Sequence, residues 1–141
     1  MSDPVTTREI EITRVYDAPR QQVWNAWTEP ERIARWWGKR GWSTPPSSVT
    51  LDVRPGGAFR LNSISDTDGR EMPLDAVYVE VVEPERLVFA RDEERATVTF
   101  ADLGDGRTEM TFRTTMEATE ALRDRATAGM ASAFDRLADQ L

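Results

Sequence analysis

Apolar residues recur every three or four positions through the last part of the chain. Between about Glu117 and Leu141 they occupy Leu122, Ala126, Met130, Ala133, Phe134, Leu137 and Leu141. Because an α-helix repeats every ~3.6 residues, this spacing places one apolar stripe along a single helix. The pattern therefore predicts a long amphipathic C-terminal helix that must cover an apolar surface of similar length.

Apolar and polar residues alternate through much of the chain before this helix, a pattern typical of strands with one solvated face. The alternation predicts a first strand over residues 8–16. Six further strands are predicted near residues 49–53, 59–62, 72–82, 87–89, 97–100 and 110–114. Their connections are short, as in the hairpin signal Gly104-Asp105-Gly106. The strands must then be largely antiparallel, because a parallel pair needs a crossover of about a dozen residues.

Two short helices are predicted between the first strand and the others. Asp17-Ala18-Pro19 starts the first, with Asp17 near the cap and proline in the first turn, where its missing N–H costs nothing. Thr28 and Glu31 have the spacing of a capping box for the second helix, which ends at Gly38. The apolar residues of these two helices include four of the five tryptophans.

These elements predict a single α+β domain over residues 1–141. A sheet of about seven antiparallel strands has one dry face, and the C-terminal helix is the only long amphipathic element available to cover it. We therefore expect a curved sheet with two short helices after strand one and a long C-terminal helix packed across the concave face.

Composition excludes several classes of chemistry. The chain has no cysteine and no histidine, which removes disulfides, thiolate nucleophiles, imidazole zinc sites and the usual serine triad. Its net charge of −7 argues against a nucleic-acid partner. No apolar run approaches the ~18 residues of a membrane span, and the N-terminus opens no signal peptide. We expect a cytoplasmic protein without a membrane span or cofactor, as a monomer or homodimer.

Three ordered motifs carry a family resemblance. The first runs from Tyr16-Asp17-Ala18-Pro19 through the tryptophans to Gly38, the second is Asp52 to Arg60 (DVRPGGAFR), and the third is Val81 to Phe89 (VVEPERLVF). Together they resemble domains similar to the C-terminal domain of the activator of the 90-kDa heat-shock-protein ATPase. That family belongs to the superfamily of START and birch-pollen-allergen-like domains (SRPBCC). The resemblance covers residues 9–141 and implies the helix-grip fold.

The resemblance also implies a ligand cavity between sheet and long helix. Apolar residues of the second helix, the strands and the last helix are the candidate ligand-binding residues: Trp36, Trp37, Trp42, Phe59, Leu61, Val79, Phe89, Phe100, Phe112, Met130 and Phe134. The alternative is that they fill a packed core. Many relatives carry tryptophan on the inward face of the last helix where this chain has Gly129-Met130, and the flexible methionine leaves room or adaptability there.

Four polar residues interrupt the predicted strands: Arg60, Asn62, Tyr78 and Arg113. Alternation places them on the solvated face, because Phe59, Leu61, Val77 and Val79 have the opposite parity. Any of these four side chains that points inward would instead contact a ligand. The acidic turns at 66–69 and 102–106 lack the twelfth-position glutamate of a calcium loop, so we predict turns and no metal site.

Three functions are compatible with this sequence. The first is binding of a small hydrophobic molecule in the implied cavity. The second is a co-chaperone role with the 90-kDa heat-shock protein or another protein partner. The third is a polyketide-cyclase-like enzyme, whose proton transfers would use Asp, Glu or Tyr with shifted pKa values, although no catalytic residue is marked by the sequence.

Overall fold

The computed structural model describes residues 3–141; Met1 and Ser2, included in the single-domain prediction, lie outside the described residues. Within residues 3–141, eight strands and three α-helices follow one another. In order they are β1 (Thr6–Tyr16), α1 (Arg20–Thr28), α2 (Pro30–Ile33), β2 (Trp42–Ser43), β3 (Thr50–Leu51), β4 (Ala58–Ser65), β5 (Glu71–Val82), β6 (Arg86–Arg91), β7 (Glu94–Asp102), β8 (Thr108–Ala118) and α3 (Glu120–Ala138). A 3-10 turn over Pro46–Ser48 lies between β2 and β3.

All eight strands belong to one antiparallel sheet. The strand order is β1-β8-β7-β6-β5-β4-β2, and β3 also pairs with β4. The predicted α+β architecture, with its antiparallel sheet and long C-terminal helix, is confirmed. The alternation did not indicate β2, because a strand of two residues is too short to show a period of two.

The C-terminal half of α3 packs against the inner face of the sheet. Ala133, Phe134 and Leu137 are almost completely buried there, and the Tyr16 hydroxyl of β1 donates a hydrogen bond of 2.9 Å to the carbonyl of Phe134. Helix α3 begins at Glu120, slightly later than the apolar stripe suggests, because β8 stays paired with β1 as far as Ala118. No helix within residues 3–141 combines the length and apolarity needed to cross a membrane.

The prediction of which β5 side chains face the core is wrong over part of the strand. Tyr78 is 1% exposed and points inward, whereas Val77 is 46% exposed. The pairing of β5 with β6 shifts register between Tyr78 and Glu80. Such a bulge inserts an extra residue and reverses the side-chain alternation. The odd-numbered side chains of β5 therefore face the core only after the bulge, as Val81 does. Arg60 and Arg113 are exposed as predicted.

The predicted helix caps at the first two helices are also wrong. Helix α1 has Pro19 at its N-cap with no side-chain cap. The Thr28 hydroxyl donates back to the carbonyl of Trp24 at 3.0 Å instead of capping α2. The N-cap of α2 is Glu29, whose side chain forms an ion pair with Arg32. By contrast, Thr119 caps α3 through a bond of 3.1 Å from the amide of Leu122.

The glycine pair of the second motif allows two backbones to approach closely. A Cβ on Gly57 would lie 1.9 Å from the carbonyl oxygen of Asp52, so no other residue fits without moving the chain. Gly56 has a φ of +84° and its amide donates to the carbonyl of Tyr78 at 2.8 Å. The turn before β4 is thereby joined to β5.

The acidic turns use their carboxylates internally. Asp68 Oδ1 accepts from the amide of Arg70 at 3.0 Å, and Asp102 Oδ1 accepts from the amide of Gly104 at 2.8 Å. The Arg70 amide is the main reason why the pKa of Asp68 lies below its usual value. This geometry agrees with the interpretation as turns.

The chain has two tyrosines, and both phenols are buried. Burial raises the pKa of Tyr16 and of Tyr78 above the usual value. The Tyr78 hydroxyl lacks a hydrogen-bond partner within residues 3–141. An unpartnered buried hydroxyl destabilises the folded state, because its bonds to water are lost without replacement.

The folded protein should lose stability steeply above about pH 10. There the unfolded chain ionises both phenols while the folded chain keeps both protons, so the unfolded state binds two fewer protons. The free energy of unfolding should then fall by about 2.7 kcal/mol per pH unit. Denaturant unfolding between pH 8 and 11 measures this slope.

Tyr78→Phe provides the control, because it should halve the slope and leave neutral-pH stability unchanged or higher. Tyrosinate absorbance in the native protein with a midpoint near pH 10 would contradict the prediction.

Candidate ligand-binding site

An aromatic cluster fills one half of the space between sheet and helices. Trp27 lies at its centre, with ring centroids 4.8 Å from Trp36, 5.9 Å from Trp37 and 6.0 Å from Phe134. Its indole N–H donates to the sulfur of Met110 at 3.3 Å. This half of the domain is therefore a packed core.

Several of the candidate ligand-binding residues belong to this packed core. They are buried and are not among the lining residues of the cavity described below: Trp36, Phe59, Leu61, Phe89, Phe100, Phe112 and Phe134. The indole N–H of Trp36 donates to the Ala26 carbonyl at 2.9 Å, which fixes that ring within the core. Val79 lies half-buried at the bulge of β5 and is also not among the cavity-lining residues.

A cavity of about 470 Å³ remains on the side of the N-terminal half of α3. Three of the candidate residues meet there: Trp37, Trp42 and Met130. The strands add Ser63, Met72, Leu74 and Met116, and α3 adds Leu122, Ala126, Gly129 and Ala133. Most of the wall is apolar, and three cationic residues, Lys39, Arg91 and Arg125, complete it.

The cavity is left open because α3 presents small side chains toward it. Ala126, Gly129 and Ala133 follow one another at helical spacing along its lining face. A Cβ built on Gly129 would have one neighbour within 4 Å, the Cδ of Lys39 at 4.0 Å. The same helix carries Phe134 and Leu137 one turn further on, where the space is filled.

Two large apolar side chains are exposed around the cavity. Met72 is 58% exposed and Leu122 is 47% exposed, and both line it. They mark the mouth where the end of the β4–β5 hairpin faces the first turn of α3. Beyond Arg91 and Met116 the surface continues as a depression of about 520 Å³ with the acidic turn residues Asp92, Glu93 and Glu94.

One arginine of α3 holds the wall that contains both lining tryptophans. The Arg136 guanidinium donates to the carbonyls of Trp37, Gly38 and Trp42 at 3.3, 2.8 and 3.1 Å, and to that of Arg35 at 3.2 Å. Burial, followed by the charge of Arg40, lowers the pKa of Arg136. The planar group can bond several carbonyls of this wall at once because its N–H donors have a fixed geometry.

The hydrogen bonds at Ser63 give the inner wall a defined polarity. The Thr44 hydroxyl donates to the carbonyl of Trp37 at 3.0 Å and lies 3.0 Å from the Ser63 hydroxyl. Since Thr44 has one proton, Ser63 must be the donor between the two hydroxyls. Ser63 therefore offers acceptor lone pairs to the cavity.

A family model described as "Activator of Hsp90 ATPase homolog 1-like protein" matches residues 17–141. The chain belongs to this family. The match extends from the end of β1 through α3 and so includes every lining residue of the cavity. No curated protein matches the chain significantly.

Solved structures share the fold of this family member. A protein from Chromobacterium violaceum has a TM-score of 0.81 at 23% identity, with 95% of this chain and 97% of that chain covered. A protein from Nitrosomonas europaea has a TM-score of 0.79 at 24% identity, covering 94% and 93%. The AHSA1 protein from Silicibacter pomeroyi has a TM-score of 0.80 at 14% identity, covering 94% and 96%.

Sequence reasoning missed much of the cavity lining of this family member. Leu122 and Ala126 belonged to the predicted apolar stripe, so the stripe itself could have marked them. Met72 and Met116 lie at strand ends, where alternation does not distinguish a cavity wall from a solvated edge. No sequence pattern marked Arg136 as part of the cavity wall, because its partners are backbone carbonyls about 100 residues earlier in the chain.

Arg136→Ala should lower the free energy of unfolding by about 2–3 kcal/mol, because hydrogen bonds from a charged group to half-buried carbonyls are lost. Arg136→Lys should not restore it, since an ammonium lacks the planar fork. Denaturant unfolding followed by tryptophan fluorescence gives the values.

Arg113→Ala is the matched control. Arg113 is exposed and paired with Glu11 at 3.2 Å, so its loss should cost less than about 1 kcal/mol. Equal stability losses for the Arg136 and Arg113 variants would contradict the assigned role.

Proposed function

We propose that this family member binds a small hydrophobic molecule in the cavity between α3 and the sheet. The observation that carries the proposal is the apolar cavity itself, lined by Trp37, Trp42, Met130 and small residues of α3. Transfer of apolar ligand surface from water into such a lining is favourable by about 25 cal/mol per Å².

The size of the cavity supports a ligand rather than trapped solvent. Its volume of about 470 Å³ falls in the range of roughly 300–1,000 Å³ that is typical of ligand sites. It equals the liquid volume of about 16 waters at ~30 Å³ each. The apolar lining offers few partners for that many waters, whereas two indoles offer extended faces to an apolar or aromatic body.

The composition of the lining favours binding over proton-transfer chemistry. The ionisable groups of the lining, counted over residues 3–141, are Lys39, Arg91 and Arg125. A general base must lie within hydrogen-bond reach of the proton that it takes, and the lining within residues 3–141 includes no carboxylate and no phenol. Tyr78, whose hydroxyl is unpartnered, is not part of the lining.

Titration with N-phenyl-1-naphthylamine, an uncharged fluorescent probe, tests the proposal. We expect saturable enhancement of its fluorescence and a stabilisation of about 2.7 kcal/mol at 100 times the dissociation constant. A linear, non-saturating response together with an unchanged unfolding midpoint would refute it.

Gly129→Trp should weaken probe binding while the fold is kept. The Cβ position at Gly129 is open toward the cavity, so an indole there should occupy the ligand's space, and affinity should fall by about tenfold or more. Gly129→Ala should raise the free energy of unfolding by about 0.5–1 kcal/mol, because glycine weakens a helix interior.

Ala128→Trp is the matched control, since Ala128 is the preceding residue of α3 and is exposed. It should fold and bind the probe like the parent chain. Unchanged probe affinity in a folded Gly129→Trp variant would place the binding site elsewhere.

Stimulation of the ATPase of the 90-kDa heat-shock protein is the second candidate function, and the description of the matched family favours it. The exposed face that includes Arg35 and Lys39 could supply positive charge for an acidic partner surface. Stimulation of the purified chaperone's ATPase, reduced by Arg35→Glu but not by Gly129→Trp, would support this role. Unchanged ATPase turnover would exclude it.

A further inference from the structure

We infer that the ligand is an amphipathic monoanion: an apolar body inside the cavity with a carboxylate, or a similar anionic group, held at the mouth by Lys39 and Arg125. This inference rests on the proposed binding function and specifies the chemical class of the ligand.

The first support is the sign of the charges around the cavity. The chain has 25 acidic and 18 basic side chains, yet each charged residue of the lining, taken over residues 3–141, is basic. An acidic protein thus encloses its apolar cavity with positive charge. A charged rim of one sign raises the local concentration of the opposite ion and its rate of association.

The second support is that two of these cations lack a carboxylate partner within residues 3–141. Arg91 lies 3.6 Å from Glu94 and is partly neutralised. Arg40 and Arg123, the neighbours of the two remaining cations, pair with Asp139 and Asp124. Within the described part of the chain, Lys39 and Arg125 form no ion pair with a carboxylate. They are therefore the charges available to a ligand.

The third support is that both cations lie beside the same stretch of α3. The Lys39 side chain passes Gly129, with its Cδ 4.0 Å from the Cβ position there. Arg125 precedes Gly129 by one helical turn on the lining face of α3. Lys39 Nζ lies 5.5 Å from the ring centroid of Trp42, so the ammonium is placed beside an aromatic wall that an apolar body can contact.

The polarity of the inner wall sets the orientation of the ligand. Ser63 presents acceptor lone pairs to the cavity, and these disfavour an anion. The acidic β6–β7 turn disfavours it on the side beyond Arg91. The anionic group is consequently confined to the side of Lys39 and Arg125, and the apolar body extends toward Met130 and Trp37.

Three ligands that differ only in their head group test the inference: decanoate, decanol and decylamine. Each is titrated by displacement of N-phenyl-1-naphthylamine at low salt. We expect decanoate to bind about tenfold more tightly than decanol, and decylamine to bind most weakly. The preference for decanoate should decrease as salt is added, because the two cations are exposed and screened.

The double variant Lys39→Met/Arg125→Met should lose the preference for decanoate over decanol, with both affinities measured in the same folded variant. Lys39→Glu/Arg125→Glu should reverse the order in favour of decylamine. Arg113→Met removes one positive charge from the outer face of the sheet and should leave the preference unchanged.

Decanol binding as tightly as decanoate to the parent chain would overturn the inference, as would a decanoate preference that survives in the double methionine variant. Both results leave the proposed binding function intact, because the probe still binds. Failure of the probe and of all three ligands would instead refute the binding function itself.

Discussion

The packing of Phe134 of α3 against Trp27 and Trp36 is the contact on which the rest of the domain depends. It joins the long helix, α1 and the turn that follows α2, and the contact of Phe134 with Phe112 of β8 adds the sheet to the same buried cluster. The Tyr16 hydroxyl adds a bond from β1 to the helix backbone at the same residue. Fixing one half of α3 in this way determines where its other half lies, because a helix of 19 residues acts as a rigid rod over this distance.

The two halves of α3 serve different purposes because of side-chain size. Large residues in the C-terminal half fill the space beneath them and stabilise the fold. Small residues such as Ala126 and Gly129 leave space beneath the N-terminal half. An unfilled apolar cavity lowers stability by roughly 24 cal/mol per Å³ when it results from truncating a core side chain. A ligand that occupies the space recovers dispersion contacts, so binding and stability are linked.

Two cations act in different ways on the loop between α2 and β2. Arg136 fixes the backbone of that loop from the inside through its carbonyls, while Lys39 of the same loop faces the cavity. One cation is therefore used for structure and the other remains available. The difference arises from surroundings rather than residue type, since carbonyls surround Arg136 and an indole face borders Lys39.

The sequence by itself determined the elements, the antiparallel sheet and the helix that covers it, because periodicity records which face of each element is apolar. Most predicted site residues are apolar and inward-facing, but periodicity does not state how far apart two inward faces lie. That distance depends on side chains that meet from remote parts of the chain. The tertiary structure therefore decided that Trp36 packs while Trp37 lines a cavity, that a bulge turns Tyr78 inward, and that Arg136 holds the cavity wall.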